Sequence, residues 1–345
     1  MKIPKLTFSI EKVTLFLFGG LVVARLPENY PFQPAYILYF AMPIYFLIFK
    51  NKLIYTRQIA IFIIFCAYFF FLNLFYVYNE GSFDAKIVNA LYWPLCIVLL
   101  VSIANARIEQ LKFLITCITG WLMLSVALAV YEFITNFPTR ASGISGSPNN
   151  LALSLVHIEV IRRVLKLDPP NVVLKVLGAV NLSRAYIVYI ILMGLRISLK
   201  NILLIAALLF ISINAINLIG SEEVFSFLEG RFDFAENSSD EGGRGVRRVF
   251  LHPEYLFFGA GDLRAEFTGD DFSGQIHNNF LALFFCFGIP GLLFSVYFFK
   301  LLINNVGIYI AAVYFFYSTT LFFYNNIFFV ILVASLLHVS QRRGV

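Results

Sequence analysis

Residues 58–78 read QIAIFIIFCAYFFFLNLFYVY, a mostly apolar stretch without a charged side chain. An α-helix needs about 20 mainly apolar residues to cross the hydrocarbon core of a bilayer. Comparable apolar stretches lie at 112–134, 201–219 and 304–324. The sequence therefore predicts several helices that cross a membrane.

The composition excludes an ordinary soluble domain. Of the 345 residues, 60% are hydrophobic, 17% are aromatic and only 13% are charged, whereas roughly a quarter of the residues in soluble proteins are charged. The four cysteines all lie within apolar segments, which predicts buried packing and gives no indication of a disulfide framework or a metal site. The expected fold class is all-α, a polytopic helical membrane protein.

The apolar stretches predict about twelve transmembrane helices in a single transmembrane domain over residues 1–345. The predicted spans are 13–26, 34–49, 58–78, 87–104, 112–134, 149–161, 171–183, 185–196, 201–219, 276–299, 304–324 and 326–341. Lys and Arg accumulate on the cytoplasmic side of short loops, and this rule places both termini in the cytoplasm. Residues 171–196 form either a hairpin or one long helix. The hairpin is preferred, because a single crossing would place the basic C-terminus outside.

A long loop at 220–275 is predicted on the outer, periplasmic side. It carries twelve acidic residues and five basic residues, and all five bases are arginine. The guanidinium group is a planar fork that binds phosphate or carboxylate through two hydrogen bonds. The acidic balance of the loop argues against a nucleic-acid partner and favours a lipid-linked phosphate. The apolar flanks of the loop, including 246–258, are expected to lie on the membrane surface as short amphipathic helices.

Several ionisable residues fall within or beside predicted spans. Arg184 lies between apolar residues with no acid nearby in sequence, which marks either a functional site or a side chain reaching for the outer interface. Glu159 and Arg163 are four residues apart, the spacing of an ion pair on one helix. His157 lies on that helix, and we expect it to serve packing.

Four motifs follow one another along the second half of the chain. They are TRASGISGSPNNLALSL (139–155), NLSRAYIVYI (181–190), VRRVFLHPEYLFFGAGDLR (246–264) and HNNFLALFFCFGIPGLL (277–293). Gly259 and Gly261 are expected to allow a tight turn, and Gly288 and Gly291 close helix packing. The order of the motifs resembles the bacterial O-antigen polymerase (Wzy-type) and O-antigen ligase (WaaL-type) superfamily over roughly residues 135–300.

The resemblance implies a GT-C-like membrane glycosyltransferase that inverts the anomeric carbon and needs no metal or other cofactor. Its donor would be a glycan linked to undecaprenyl diphosphate. Arg184 and one of Arg247 and Arg248 match the phosphate-binding arginines of the family. His277 matches the family histidine, either as the base that activates the acceptor hydroxyl or as a phosphate ligand.

Two further residues are candidates for substrate binding at the same site. Arg140 precedes the Pro-Asn helix start, and Asn278 follows His277. Asparagine is also a favoured N-cap residue, so Asn278 or Asn279 could simply begin the helix that follows.

The leading hypothesis is a polymerase that extends a surface polysaccharide in the bacterial inner membrane, with its active site facing the periplasm. A ligase that moves finished glycan to lipid A-core is the nearest alternative, since both share the donor and the leaving group. A flippase for lipid-linked sugars and a structural or receptor-like membrane protein are the other classes. Besides the lipid-linked oligosaccharide and membrane lipid, the expected partners are a chain-length regulator and a flippase of the same pathway.

Overall fold

The computed structural model describes residues 9–25, 33–48, 55–80, 86–136, 141–170, 172–181, 183–195, 253–261, 278–319 and 326–342. Within these ranges the chain forms α-helices and short 3-10 turns and no β-strand. The predicted span at 201–219 and all of the loop 220–275 except 253–261 lie outside the described residues.

The helices follow the apolar stretches of the sequence closely. They are α1 (Ile10–Val23), α2 (Leu38–Ile48), α3 (Arg57–Glu80), α4 (Lys86–Ala104), α5 (Ile108–Thr135), α6 (Pro148–Val164), α7 (Val172–Gly178), α8 (Arg184–Leu195), α9 (Tyr255–Phe258), α10 (Asn279–Val306), α11 (Ile308–Ser318) and α12 (Ile327–Arg342). The 3-10 turns are Pro34–Ile37, Gly143–Ser145 and Ala179–Asn181.

Three described segments are long and apolar enough to cross a bilayer, namely Arg57–Phe75, Ile108–Thr135 and Asn279–Val306. Shorter apolar helices surround them. The all-helical class is thereby confirmed, and the apolar helices support a membrane protein. The number of crossings, twelve, stays a prediction.

Two helices form the centre of the bundle. Every residue from 327 to 338 in α12 is buried, and so is every residue from 151 to 161 in α6. A helix that is apolar on all sides belongs inside a protein or a membrane. α12 packs against α4, α6, α10 and α3, and α6 also contacts α5, α7, α8 and α11. Any polar side chain on the central part of α6 is therefore enclosed by protein.

The chain reverses direction between α7 and α8. The hydroxyl of Tyr186 donates a hydrogen bond to the carbonyl oxygen of Lys175 at 3.2 Å. In a straight helix these two residues would be about 16 Å apart along the axis. The contacts agree with the hairpin and not with one long helix over 171–196. We call residues 172–195 the α7–α8 hairpin.

α10 is sharply folded at Gly288, which has φ 62° and ψ −149°. The ring centroids of Phe280 and Phe299 are 4.8 Å apart, although a straight helix would separate these residues by about 28 Å. A Cβ atom on Gly291 would lie 2.0 Å from the carbonyl oxygen of Leu283. The two arms, 279–287 and 289–306, therefore fold back on each other. The sequence predicts a span over 276–299, and the helix found there is bent at Gly288 and continues to Val306.

The turn Gly259-Ala260-Gly261 supplies N–H donors to carbonyl groups of α10 next to the fold. In an unbroken helix the carbonyl of Cys286 would accept from residue 290, but Pro290 has no N–H. Instead the N–H of Gly261 donates to the carbonyl of Cys286 at 2.8 Å. The N–H of Ala260 donates to the carbonyl of Phe285 at 2.9 Å.

The backbones of the two motifs are in direct contact. A Cβ atom on Gly259 would lie 2.3 Å from the carbonyl oxygen of Cys286, and one on Gly288 would lie 2.3 Å from that of Phe257. Gly259 and Gly261 also have positive φ values of 94° and 75°. The tight turn expected at Gly259 and Gly261 is confirmed, and so is the close packing expected at Gly288 and Gly291.

The flank of the long loop is described over 253–258, where the sequence predicts a short helix on the membrane surface. The helix is present as α9, and it contacts the fold of α10 and the middle of α3, where the hydroxyl of Tyr68 donates to the carbonyl of Phe258 at 2.6 Å. Phe69 of α3 stacks on Phe287 nearby, with ring centroids 3.9 Å apart. The side chains of Phe257 and Phe258 remain exposed, and the position of α9 at the membrane surface stays a prediction.

Gly288→Ala is expected to destabilise the protein by about 2–5 kcal/mol, because alanine would adopt a glycine-only conformation and overlap Phe257. Gly120→Ala is the matched control, since Gly120 lies in α5 and a Cβ atom added there would meet nothing within 4 Å. The control should stay within about 1 kcal/mol of wild type. Thermal unfolding of the purified protein in detergent measures both. Equal stability of the two variants would contradict the folded shape of α10.

Candidate functional site

The structure describes two of the six predicted site residues. Arg184 is the first residue of α8, and Asn278 precedes the first residue of α10. The other four lie outside the described residues: Arg140, Arg247, Arg248 and His277.

Arg184 lies at the turn of the α7–α8 hairpin and is partly buried. The side chain of Asn181, itself fully buried, accepts the backbone N–H of Ser183 at 2.7 Å. The carbonyl of Ser183 then accepts the N–H of Ile187 and begins α8. An asparagine that accepts a hydrogen bond two residues ahead is a common way to fix a turn. Asn181 and Ser183 therefore set the backbone from which the Arg184 side chain projects.

A largely buried ion cluster lies between α6 and α7, and we call it the Glu159 cluster: Glu159 and Arg163 of α6 and Lys175 of α7. Arg163 contacts Oε1 of Glu159 at 2.8 Å, which confirms the ion pair predicted on α6. Lys175 of α7 contacts the same oxygen at 2.6 Å. Because the Glu159 and Lys175 side chains are only 2% and 9% exposed, their attraction is weakly screened by water. The cluster joins α6 to α7.

Buried tyrosines extend the cluster toward α11. Tyr186 and Tyr189 of α8 stack on each other with centroids 6.4 Å apart, and Tyr189 meets Tyr317 of α11 at 5.7 Å. At the other end of α8, Tyr309 donates a hydrogen bond to the carbonyl of Leu192. The hairpin thus contacts α6 through the Glu159 cluster and α11 through ring packing and one hydrogen bond.

His157 serves packing, as expected. Nδ1 of the ring lies 2.8 Å from the carbonyl oxygen of Leu153, and Nε2 lies 3.0 Å from the hydroxyl of Tyr314. Because a carbonyl only accepts, Nδ1 carries the proton and Nε2 accepts from the tyrosine. Both ring nitrogens are satisfied in a fully buried position.

The segment before α6 is anchored to α5. Oε2 of Glu132 accepts the backbone N–H groups of Ser142 and Gly143, both at 3.0 Å. The hydroxyls of Ser125 and Ser145 lie 3.0 Å apart. Ser147 caps α6 by accepting the N–H of Asn150 at 3.2 Å. The Pro-Asn motif, 148–150, therefore starts its helix from a fixed loop, and Glu132 is a residue that sequence reasoning missed.

Asn278 caps α10. Its Oδ1 accepts the N–H groups of Phe280 and Leu281, each at 3.1 Å. The capping interpretation is confirmed for this residue, whereas its role in substrate binding stays a prediction.

The remaining chemistry-bearing groups are few. In the described ranges no three His, Cys, Asp or Glu side chains are grouped so that they could hold a metal ion. All four cysteines are buried and free, in agreement with their expected packing role. Comparison with protein-family models and with curated proteins gives no match for this chain.

Asn278→Ala is expected to lower the free energy of unfolding by about 1 kcal/mol, since two N–H groups at the start of α10 lose their acceptor. Asn278→Asp keeps an acceptor at the same place and should stay close to wild type. Thermal unfolding of the purified variants in detergent compares them. An alanine variant as stable as the aspartate variant would exclude the cap.

Proposed function

We propose that this protein is a membrane glycosyltransferase that polymerises undecaprenyl-diphosphate-linked oligosaccharide repeat units into a surface polysaccharide. The reaction takes place at the periplasmic face of a bacterial inner membrane and needs no metal. His277 is the catalytic base, and Arg184 binds the donor diphosphate together with Arg247 or Arg248. Arg140 and Asn278 are further candidates for substrate contact.

The observation that carries the proposal is the contact between two of the four motifs. Ala260 and Gly261 donate hydrogen bonds to the fold at Gly288 and Gly259 packs on it, although 29 residues separate Gly259 from Gly288 in sequence. Four short motifs in one order are weak evidence if each is independent. The direct backbone contact joins these two motifs into one structural unit, and this supports the resemblance.

The second support is the environment of Arg184. It stands at a hairpin turn, on a helix whose other eleven residues carry no charge. An ionisable side chain in such surroundings marks a functional site by default. A diphosphate at the membrane surface is a ligand that a fixed guanidinium binds well.

The chemistry assigns one task to each group. The acceptor hydroxyl attacks the anomeric carbon of the donor glycan while His277 takes the hydroxyl proton. A new C–O bond forms, the bond between the anomeric carbon and the phosphate oxygen breaks, and undecaprenyl diphosphate leaves with the bonding electrons. The arginines stabilise the negative charge that grows on the leaving group.

The test uses the purified full-length protein in lipid nanodiscs with undecaprenyl-diphosphate-linked repeat units of the source strain. Products are separated by size. Wild type should give a ladder of glycans. His277→Ala should lower the rate by about 10²–10⁴-fold, and Arg184→Gln by about 10²–10³-fold.

Arg342→Gln is the matched control for Arg184, because Arg342 is an exposed arginine at the end of α12. It should retain wild-type activity. A folded wild type that gives no ladder would contradict the polymerase. Transfer after addition of lipid A-core acceptor would then identify a ligase, and its absence would leave a lipid-linked sugar flippase.

The sidedness of the proposed reaction can be tested on α5. Glu109 and Asn136 are exposed residues at opposite ends of this helix. With the four native cysteines buried, a membrane-impermeant maleimide added to spheroplasts should label Asn136→Cys and not Glu109→Cys. Labelling of Glu109→Cys alone would place the C-terminal end of α5 in the cytoplasm and contradict the assigned orientation.

A further inference from the structure

We infer that Glu159 and Lys175 are positioning residues, which hold the α7–α8 hairpin so that Arg184 meets the donor diphosphate. The part of this inference that concerns the diphosphate rests on the proposed function. The part that concerns the hairpin rests on geometry alone.

α7 is too short to hold its own position. It has seven residues, whereas isolated helices below roughly 12 residues are marginal even in favourable sequences. Its placement must come from contacts with neighbouring helices. α7 contacts α5 and α6, and two of its contacts, one polar and one tightly packed, decide how it meets α6 and α8.

The polar contact is the bond from Lys175 Nζ to Glu159 Oε1 at 2.6 Å. It connects the middle of α7 to the centre of the buried helix α6. Lys175 also bridges the two arms of the hairpin, because its carbonyl oxygen accepts the hydroxyl of Tyr186. One residue therefore ties α7 to α6 through its side chain and to α8 through its backbone.

The packed contact is at Gly178. A Cβ atom there would lie 2.5 Å from Cδ1 of Leu155 and 3.1 Å from the Tyr186 hydroxyl. The last turn of α7 is thus pressed between α6 and α8. Together with the Glu159–Lys175 pair one turn earlier, this packing fixes the position along α6 at which the chain reverses direction and Arg184 begins α8.

The charges of the cluster identify the least disruptive variant. Two cations share one carboxylate, so Lys175→Met leaves the Glu159–Arg163 pair intact and neutral. Glu159→Gln would remove the counter-charge of the buried Lys175 and of the partly buried Arg163, which is far more costly. Tyr186→Phe removes the bond between the arms and no charge at all.

A structural pair that only stabilises the bundle would show a different pattern. It would lower the unfolding temperature without moving the hairpin in the folded protein. It would also leave diphosphate affinity unchanged below that temperature. The experiment therefore measures the hairpin and the ligand separately, in the full-length chain in nanodiscs.

The first measurement is amide hydrogen exchange followed by mass spectrometry over 172–195. Lys175→Met and Tyr186→Phe should each speed exchange in this segment by about tenfold, because local opening becomes easier. Lys166→Met is the matched control: it makes the same replacement at an exposed lysine just after α6 and should leave the exchange unchanged. Wild-type exchange in both test variants would overturn the inference.

The second measurement is binding of undecaprenyl diphosphate as the probe. Lys175→Met should weaken binding by about 10- to 100-fold, as expected when a binding group is misplaced. Arg184→Gln should weaken it similarly. The double variant should bind no more weakly than Arg184→Gln alone, because Lys175 acts through Arg184.

The outcomes separate the two proposals. If wild type does not bind the probe, the proposed function fails, while the hydrogen-exchange result still decides the hairpin. If Arg184→Gln loses affinity and Lys175→Met does not, the positioning role is wrong and the proposed function stands. Additive losses in the double variant would likewise contradict a role through Arg184.

Discussion

Inside a membrane every backbone N–H and C=O group has to find its partner within the protein, because hydrocarbon offers none. Regular helices meet this requirement automatically, and the described part of the chain consists almost entirely of them. Among its departures from regularity, the turn of the α7–α8 hairpin and the fold at Gly288 bear on the proposed site. At each place the released groups have specific partners. Asn181 and Tyr186 supply them at the hairpin, and the turn 259–261 supplies them at Gly288.

Irregular backbone at membrane depth is tolerated only where protein encloses it or where it lines a cavity. Such breaks cost stability compared with an unbroken helix, so their presence points to function. Arg184 begins α8, the helix that follows the hairpin turn. The fold at Gly288 lies in α10, and His277 precedes this helix closely in sequence. The two breaks thus organise the segments that carry the proposed diphosphate site and the proposed base.

Much of the fold could be predicted from sequence, and the reason is hydropathy. The bounds of α3, α4, α5 and α6 differ from the apolar stretches by only a few residues. Burial in lipid and burial in protein both favour apolar side chains, so the apolar stretch extends along the whole helix. The fold at Gly288 could not be predicted this way, because the residues on both sides are equally apolar. The run Gly288-Ile289-Pro290-Gly291 was the available signal, since it combines a missing donor with two residues that lack a side chain.

The candidate site was less predictable, because its contacts join residues that are distant in sequence. The spacing of four residues revealed Glu159 and Arg163, whereas Lys175 meets Glu159 across 16 residues and only the hairpin brings them together. Glu132 gave no signal at all, because it binds backbone N–H groups ten and eleven residues away. Its role depends on the path of a loop, which no periodicity encodes.

In the proposed function, the α7–α8 hairpin presents Arg184 to the diphosphate of a lipid-linked glycan. An electron cryomicroscopy structure of the protein in nanodiscs with undecaprenyl diphosphate bound would show whether it does. We expect phosphate oxygens within about 3 Å of the Arg184 guanidinium, the distance of a charge-assisted hydrogen bond, with the Glu159–Lys175 contact intact. Diphosphate density away from the hairpin, with Arg184 paired only to protein, would contradict this expectation.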